Sequence, residues 1–157
     1  MLLGNKTYLV LHKSAVHFVL LGVLLIFSLP SMADERIGLV KTYEPKASVI
    51  RQGAETALGV GAEIFKGDTI VTDSSGAVGI IFNDGAVLTL GPSGKLIVEN
   101  FLFNPAEAKV SFLSRVIKGS VAFASGAIGR ISPGSVQFKT PTATLGLRGT
   151  KILIKVD

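Results

Sequence analysis

Beyond residue 33 the apolar positions fall in short runs, many alternating with polar residues, and glycines or turn-forming pairs bound each run. Sixteen of the 18 glycines lie in this part, Gly4 and Gly22 being the other two. Runs of strand length with regular turn punctuation predict many short β-strands rather than helices. The predicted strands are 47–51, 68–72, 77–82, 86–90, 95–98, 120–124, 135–140, 142–147 and 150–156. Val, Ile, Thr and Phe dominate them, side chains that suit a pleated, half-buried surface.

The clearest local unit is the pair of apolar runs 77–82 and 86–90, joined by Asn83, Asp84 and Gly85. Asp-Gly accepts the positive φ that a tight hairpin turn demands. A second turn, Gly91-Pro92-Ser93-Gly94, leads into 95–98, so a three-stranded meander is expected. Both faces of this unit are largely apolar, with Val78, Ile80 and Phe82 on one side and Ile81 on the other. Such a sheet is expected to be covered on both sides or stacked.

Two stretches fit this pattern less well. In 105–118, Val110, Leu113, Val116 and Ile117 suit a helix, while Val110, Phe112 and Leu113 suit a strand. Periodicity over so short a run leaves both open. The segment 125–134, with three glycines and Pro133, is expected to be a loop. No shift in composition marks a second domain.

The first 33 residues follow another pattern. Lys6 and Lys13 precede an apolar run from Ala15 to Leu29, and Pro30, Ser31, Met32 and Ala33 follow it, with acidic Asp34 and Glu35 next. A basic start, an apolar core and a small-x-small site predict a signal peptide cut between Ala33 and Asp34. A bilayer-spanning helix needs about 20 apolar residues, and this core is shorter. An exported protein, in the periplasm or otherwise outside the cytoplasm, is expected, with no membrane span after cleavage.

Cleavage leaves 157 − 33 = 124 residues, the size of one domain. Lys6 and Lys13 depart with the leader, so 14 basic residues face 11 acidic ones, a net charge of +3. The basic residues are scattered singly, and the patch with neighbouring aromatics that nucleic acid requires is missing. With no cysteine, no disulfide framework is available.

Both histidines, His12 and His17, lie in the leader. The remainder therefore has no histidine or cysteine for a nucleophilic triad or for the usual zinc and haem sites. No phosphate-binding glycine loop occurs. Carboxylates remain: Asp68, Asp73, Asp84, Glu99 and Glu107. Asp68 and Asp84 adjoin glycines, where a carboxylate is expected to accept backbone N–H bonds, and Glu99 and Glu107 are expected to be solvated. Calcium at Asp73 or Asp84 is conceivable in charge, but the ligand spacing of an EF-hand is absent. No catalytic residue, cofactor or metal is therefore assigned.

Three segments together resemble the periplasmic FecR domain. Gly61 is followed by Lys66, Gly67, Asp68, Thr69 and Thr72. Phe82, Asp84, Gly85, Leu88 and Leu90 form the second segment. Thr140, Pro141 and Ala143 lead to Arg148, Gly149 and Thr150 in the third. The resemblance covers about residues 47–156, and its last segment is the most specific. It implies a β-rich, solenoid-like domain of the bacterial envelope. Its best-known members are transmembrane regulators that receive a receptor's signal and control a sigma factor. Neither a sigma-binding segment ahead of the leader nor a second receptor-contacting domain after Asp157 is expected here. The domain type and protein binding are therefore what the resemblance carries.

The signature residues Gly67, Asp68, Asp84, Gly85, Thr140, Pro141, Arg148, Gly149 and Thr150 are expected to be mainly structural. Arg148 is expected to bridge to a carboxylate or backbone carbonyls beside Gly149, because a charge next to apolar strands needs an internal partner. Phe101 and Phe103 are expected to fold onto the core.

The expectation is an all-β, solenoid-like or stacked-sheet domain that binds an envelope protein or polymer and is not an enzyme. An envelope carbohydrate-active enzyme with a carboxylate pair, or a self-associating structural subunit, are the alternatives.

Overall fold

The computed structural model describes residues 35–148 and 151–157. The leader, the Ala33–Asp34 junction, Gly149 and Thr150 lie outside the described residues. The described chain is all-β apart from two short helical turns. Its strands are β1 (Arg36–Glu44), β2 (Ala47–Arg51), β3 (Ala54–Ala57), β4 (Glu63–Phe65), β5 (Thr69–Thr72), β6 (Ala77–Phe82), β7 (Val87–Leu90), β8 (Lys95–Asn104), β9 (Lys109–Ala124), β10 (Val136–Lys139), β11 (Thr144–Gly146) and β12 (Lys151–Val156).

The strands form one sheet that curls on itself around β9. The first half of β9 pairs antiparallel with β8 and parallel with β10; its last residues pair antiparallel with β7 and β12. One half of the sheet therefore runs β4–β1–β6–β7–β9–β12, and the other β3–β2–β5–β8–β9–β10–β11. The change of neighbours falls at Gly119, whose φ is +90°. A Cβ there would stand 2.6 Å from the Gly94 Cα, so any other residue would push apart the chain crossing between the halves.

That crossing corrects the expected meander. The hairpin of β6 and β7 forms as predicted, with Val78 opposite Leu90 and Ile80 opposite Leu88. After the Gly91–Gly94 turn, however, β8 pairs with β5 and β9 rather than with β7. Thr72, buried on β5, redirects the chain. Its hydroxyl donates to the Gly91 carbonyl at 2.6 Å and accepts from the Gly94 N–H at 2.8 Å, anchoring the turn to the second half.

The open segment 105–118 resolves as a single 3-10 turn, Pro105–Glu107, followed by the start of β9. Asn104 caps the turn, and Ala108 at φ 54° ends it. The expected loop 125–134 contains a short helix, α1 (Ala127–Ile131), which buries Ile128. Sequence reading also misses β1, β3 and β4. Two register shifts in β1 interrupt its alternation, β3 is exposed throughout, and β4 has only three residues.

Between the halves lies one apolar core. Ile80, Leu88, Leu90 and Val121 meet Ile70, Leu96, Val98 and Val116, all essentially inaccessible. Five phenylalanines join the halves: Phe82, Phe101, Phe112, Phe123 and Phe138, with Phe112 in contact with all the others. Ring centroids around Phe112 lie 5.0–6.1 Å apart, and each such pair adds about 0.5–1.5 kcal/mol beyond area burial. Phe101 thus packs inward as expected, with Phe103 half-buried against the same core.

Candidate functional site

The described signature residues fall in three separate segments of the chain. In the first, between β4 and β5, Gly67 has φ +87° and Asp68 is fully buried. Arg51 Nε donates to Asp68 Oδ1 at 2.7 Å, and its Nη2 to Oδ2 at 2.8 Å. The Phe65 N–H also donates to Oδ2 at 2.8 Å. Arg51 reaches the Glu63 carbonyl as well, and its guanidinium lies 4.2 Å from the Phe65 ring centroid. A two-pronged ion pair with further donors satisfies the buried carboxylate. Sequence reading anticipates the backbone bond to Asp68 but not Arg51, because a strand arginine 17 residues away carries no local signal.

The second turn joins β6 to β7. Gly85 has φ +82°, and Asp84 is 6% exposed. Its Oδ1 accepts from the Ala86 N–H at 3.0 Å, as expected of an Asp-Gly turn. Its Oδ2 accepts from the Ile128 N–H at 3.2 Å, and its carbonyl from the Ala127 N–H at 2.8 Å. Asp84 therefore ties the hairpin to the start of α1. Gly126 makes the approach possible, since a Cβ there would stand 2.5 Å from Asp84 Oδ2.

In the third segment, Thr140 and Ala143 close the turn between β10 and β11. The Thr140 N–H donates to the Ala143 carbonyl at 2.8 Å, and the Ala143 N–H donates to Thr140 Oγ1 at 3.0 Å. Pro141 follows the end of β10, where a residue without an N–H is tolerated. Arg148 is exposed, and the internal partner expected for it is not found among the described residues. The last tie to β10 is Leu147, whose N–H donates to the Val136 carbonyl.

The other carboxylates are also engaged. Glu99, expected to border a loop, instead sits within β8 and accepts from Arg115 Nε and from Lys139 Nζ at 3.2 Å. Partial burial opposes its ionisation, but the bonds and charges of Arg115 and Lys139 outweigh that and hold its pKa below the ordinary glutamate value. The Ser75 N–H is the main cause of a lowered Asp73 pKa, with help from Lys46. Glu107 pairs with Lys109 at the surface. Among the described residues, no three His, Cys, Asp or Glu side chains come together as a metal site would need.

An open apolar trough lies on the outer face of β7, β9 and β12, and its lining includes Val87, Thr89, Ala122, Ala124, Lys151 and Leu153. Two cross-strand rows build it. Val87, Ala124 and Lys151 are in register, as are Thr89, Ala122 and Leu153. The small alanines form the floor, with Val87 and Leu153 as walls. These walls are 42% and 77% exposed. The trough offers apolar contact, one hydroxyl and one ammonium, and no carboxylate. Its sequence signal is the alternation of small residues Ser120, Ala122 and Ala124 opposite inward Val121 and Phe123, visible only once β9 is paired.

No protein-family profile and no curated protein matches the chain. Among solved structures, a cell surface anchoring domain is 32% identical to it, over 39% of this chain and 82% of that one, with a TM-score of 0.38. Agreement at that level does not establish a common architecture.

Proposed function

We propose that this chain is an exported FecR-type module of the cell envelope that acts by binding a protein or an envelope polymer. The observation that supports the reading is a division of labour. The buried signature carboxylates, Asp68 and Asp84, are consumed by Arg51 and by backbone donors inside the fold. The exposed apolar side chains Val87 and Leu153 flank a trough that suits contact rather than proton transfer. A carboxylate pair for glycoside cleavage needs two oxygen groups facing one substrate bond, whereas Asp68 is taken up by Arg51 and the Phe65 N–H, and Asp84 by backbone N–H groups.

The test is incubation of the full chain with cell-wall polysaccharides and with envelope extracts. Stoichiometric retention without turnover is expected. Release of sugar fragments would overturn the reading in favour of the carbohydrate-active alternative.

A further inference from the structure

We infer that two copies of this chain pair through β12, edge to edge and antiparallel, with Ile154 on the two-fold axis. The inference does not depend on the proposed function. Four strands have a single neighbour among the described residues: β3, β4, β11 and β12. A bare strand edge invites another strand, and proteins commonly blunt it by keeping edge strands short. β3, β4 and β11 are three or four residues long, whereas β12 has six. β12 is also the edge with the richest apolar content, Ile152, Leu153, Ile154 and Val156.

The register follows from faces and charges. Residues directly opposite in an antiparallel pair share a face, so only every second register keeps the apolar side inward. Three such registers use most of β12. With Leu153 on the axis, Lys151 would oppose Lys155 of the second copy. With Lys155 on the axis, the two Lys155 side chains would oppose each other. Like charges directly opposite are destabilising. With Ile154 on the axis, Lys151 opposes Asp157, Ile152 opposes Val156 and Leu153 opposes Lys155, each contact occurring twice.

That register also accounts for side chains the single chain leaves unfinished. Ile152 and Val156 are half-buried at the core margin, and each would be covered by the other's counterpart. Leu153, 77% exposed, would lie under the aliphatic stem of Lys155, an arrangement long cationic side chains favour. Within one chain Lys155 contacts Asp157 at 3.5 Å, with both side chains largely exposed. Such a contact is weak and leaves Asp157 available to Lys151 of the second copy. The two outer-face troughs would then adjoin across the axis.

The natural chain contains no cysteine, so single-cysteine variants report the register directly. Leu153→Cys and Lys155→Cys alter exposed positions and leave the core intact. Directly opposite residues lie within disulfide reach, whereas diagonal ones, about 7–8 Å apart, do not. Oxidation of the two full-chain variants mixed together should yield disulfide-linked dimer many-fold above either variant alone. In sedimentation, wild type should form a concentration-dependent dimer. Asp157→Lys should weaken it several-fold, and the swap Lys151→Glu with Asp157→Lys should restore it. A wild type that stays monomeric at all concentrations would overturn the inference, even if another protein occupied the edge. So would crosslinking of Leu153→Cys alone as efficient as that of the mixture.

Discussion

The β4–β5 and β6–β7 turns look alike in sequence, a buried aspartate next to a glycine, yet they hold their charges by different means. Asp68 is met by a guanidinium from β2 and one N–H. Asp84 is met by N–H groups alone, from its own turn and from the first residues of α1. The Asp68 pair joins two strands through opposite charges, so each partner depends on the other. The Asp84 site satisfies donors that a helix start leaves unpaired anyway. Similar local signals, Gly67-Asp68 and Asp84-Gly85, thus produce a long-range ion pair in one place and a local cap in the other.

The difference sets the size of each substitution effect. Arg51→Ala should cost most, about 3 kcal/mol, because it strands a fully buried carboxylate; partial exposure of Arg51 keeps the loss near the lower end for broken buried pairs. A melt should show a fall of several degrees. If Arg51→Ala and Asp68→Ala prove strictly additive in a double-mutant cycle, the ion pair is not what holds this turn.

Asp84→Ala should come next, at about 2 kcal/mol, since it leaves the Ala86 and Ile128 N–H groups without acceptors. Asp84→Asn retains an acceptor oxygen and should recover part of the loss. A full loss in both variants would mean that negative charge, and not acceptance of N–H bonds, matters there. Urea unfolding of the three proteins separates the two cases.

Ser114 sharpens the comparison from the opposite side. It is fully buried on β9, and its hydroxyl has no hydrogen-bond partner among the described residues. Ser114→Ala should stabilise by about 1 kcal/mol, because the unmet hydroxyl disappears with little change in volume. A clear destabilisation in the same urea series would show that the hydroxyl is satisfied in solution.

Glu99 is the partly exposed counterpart of Asp68. Glu99→Gln should cost at most about 1 kcal/mol at neutral pH, as for partly solvated pairs. Its folded pKa lies below the unfolded one, so its contribution is present above the ordinary glutamate value of about 4.3. That contribution is lost as pH falls through the lower folded value. The stability gap between wild type and Glu99→Gln should therefore close in acid. A gap that widens below pH ~4 would reverse the assigned direction.

What the sequence discloses follows the range of the interactions. The β6–β7 hairpin is legible because Asp84 and Gly85 act within their own turn. The all-β class is legible for the same reason, summed over many turns. Arg51 is not, because its partner is brought to it only by the pairing of β2 with β5. The crossing after Gly91 is hidden likewise, since Thr72 acts on it from another strand. α1 is obscured by the glycines around it, which lower helix propensity although Asp84 supplies acceptors for its first N–H groups. The outer trough required the β9 partners to be known before Ala122 and Ala124 could be placed between Val87 and Leu153.

The central claim is that the signature turns hold the fold while the outer trough does the binding, and crosslinking in intact cells tests it most directly. Val87→Arg and Arg148→Ala both change exposed side chains and should leave stability within about 0.5 kcal/mol of wild type. The account predicts that Val87→Arg loses the crosslinked envelope partner and Arg148→Ala keeps it. Retention of the partner by Val87→Arg, together with its loss in Arg148→Ala, would contradict the account and move the binding surface to the signature.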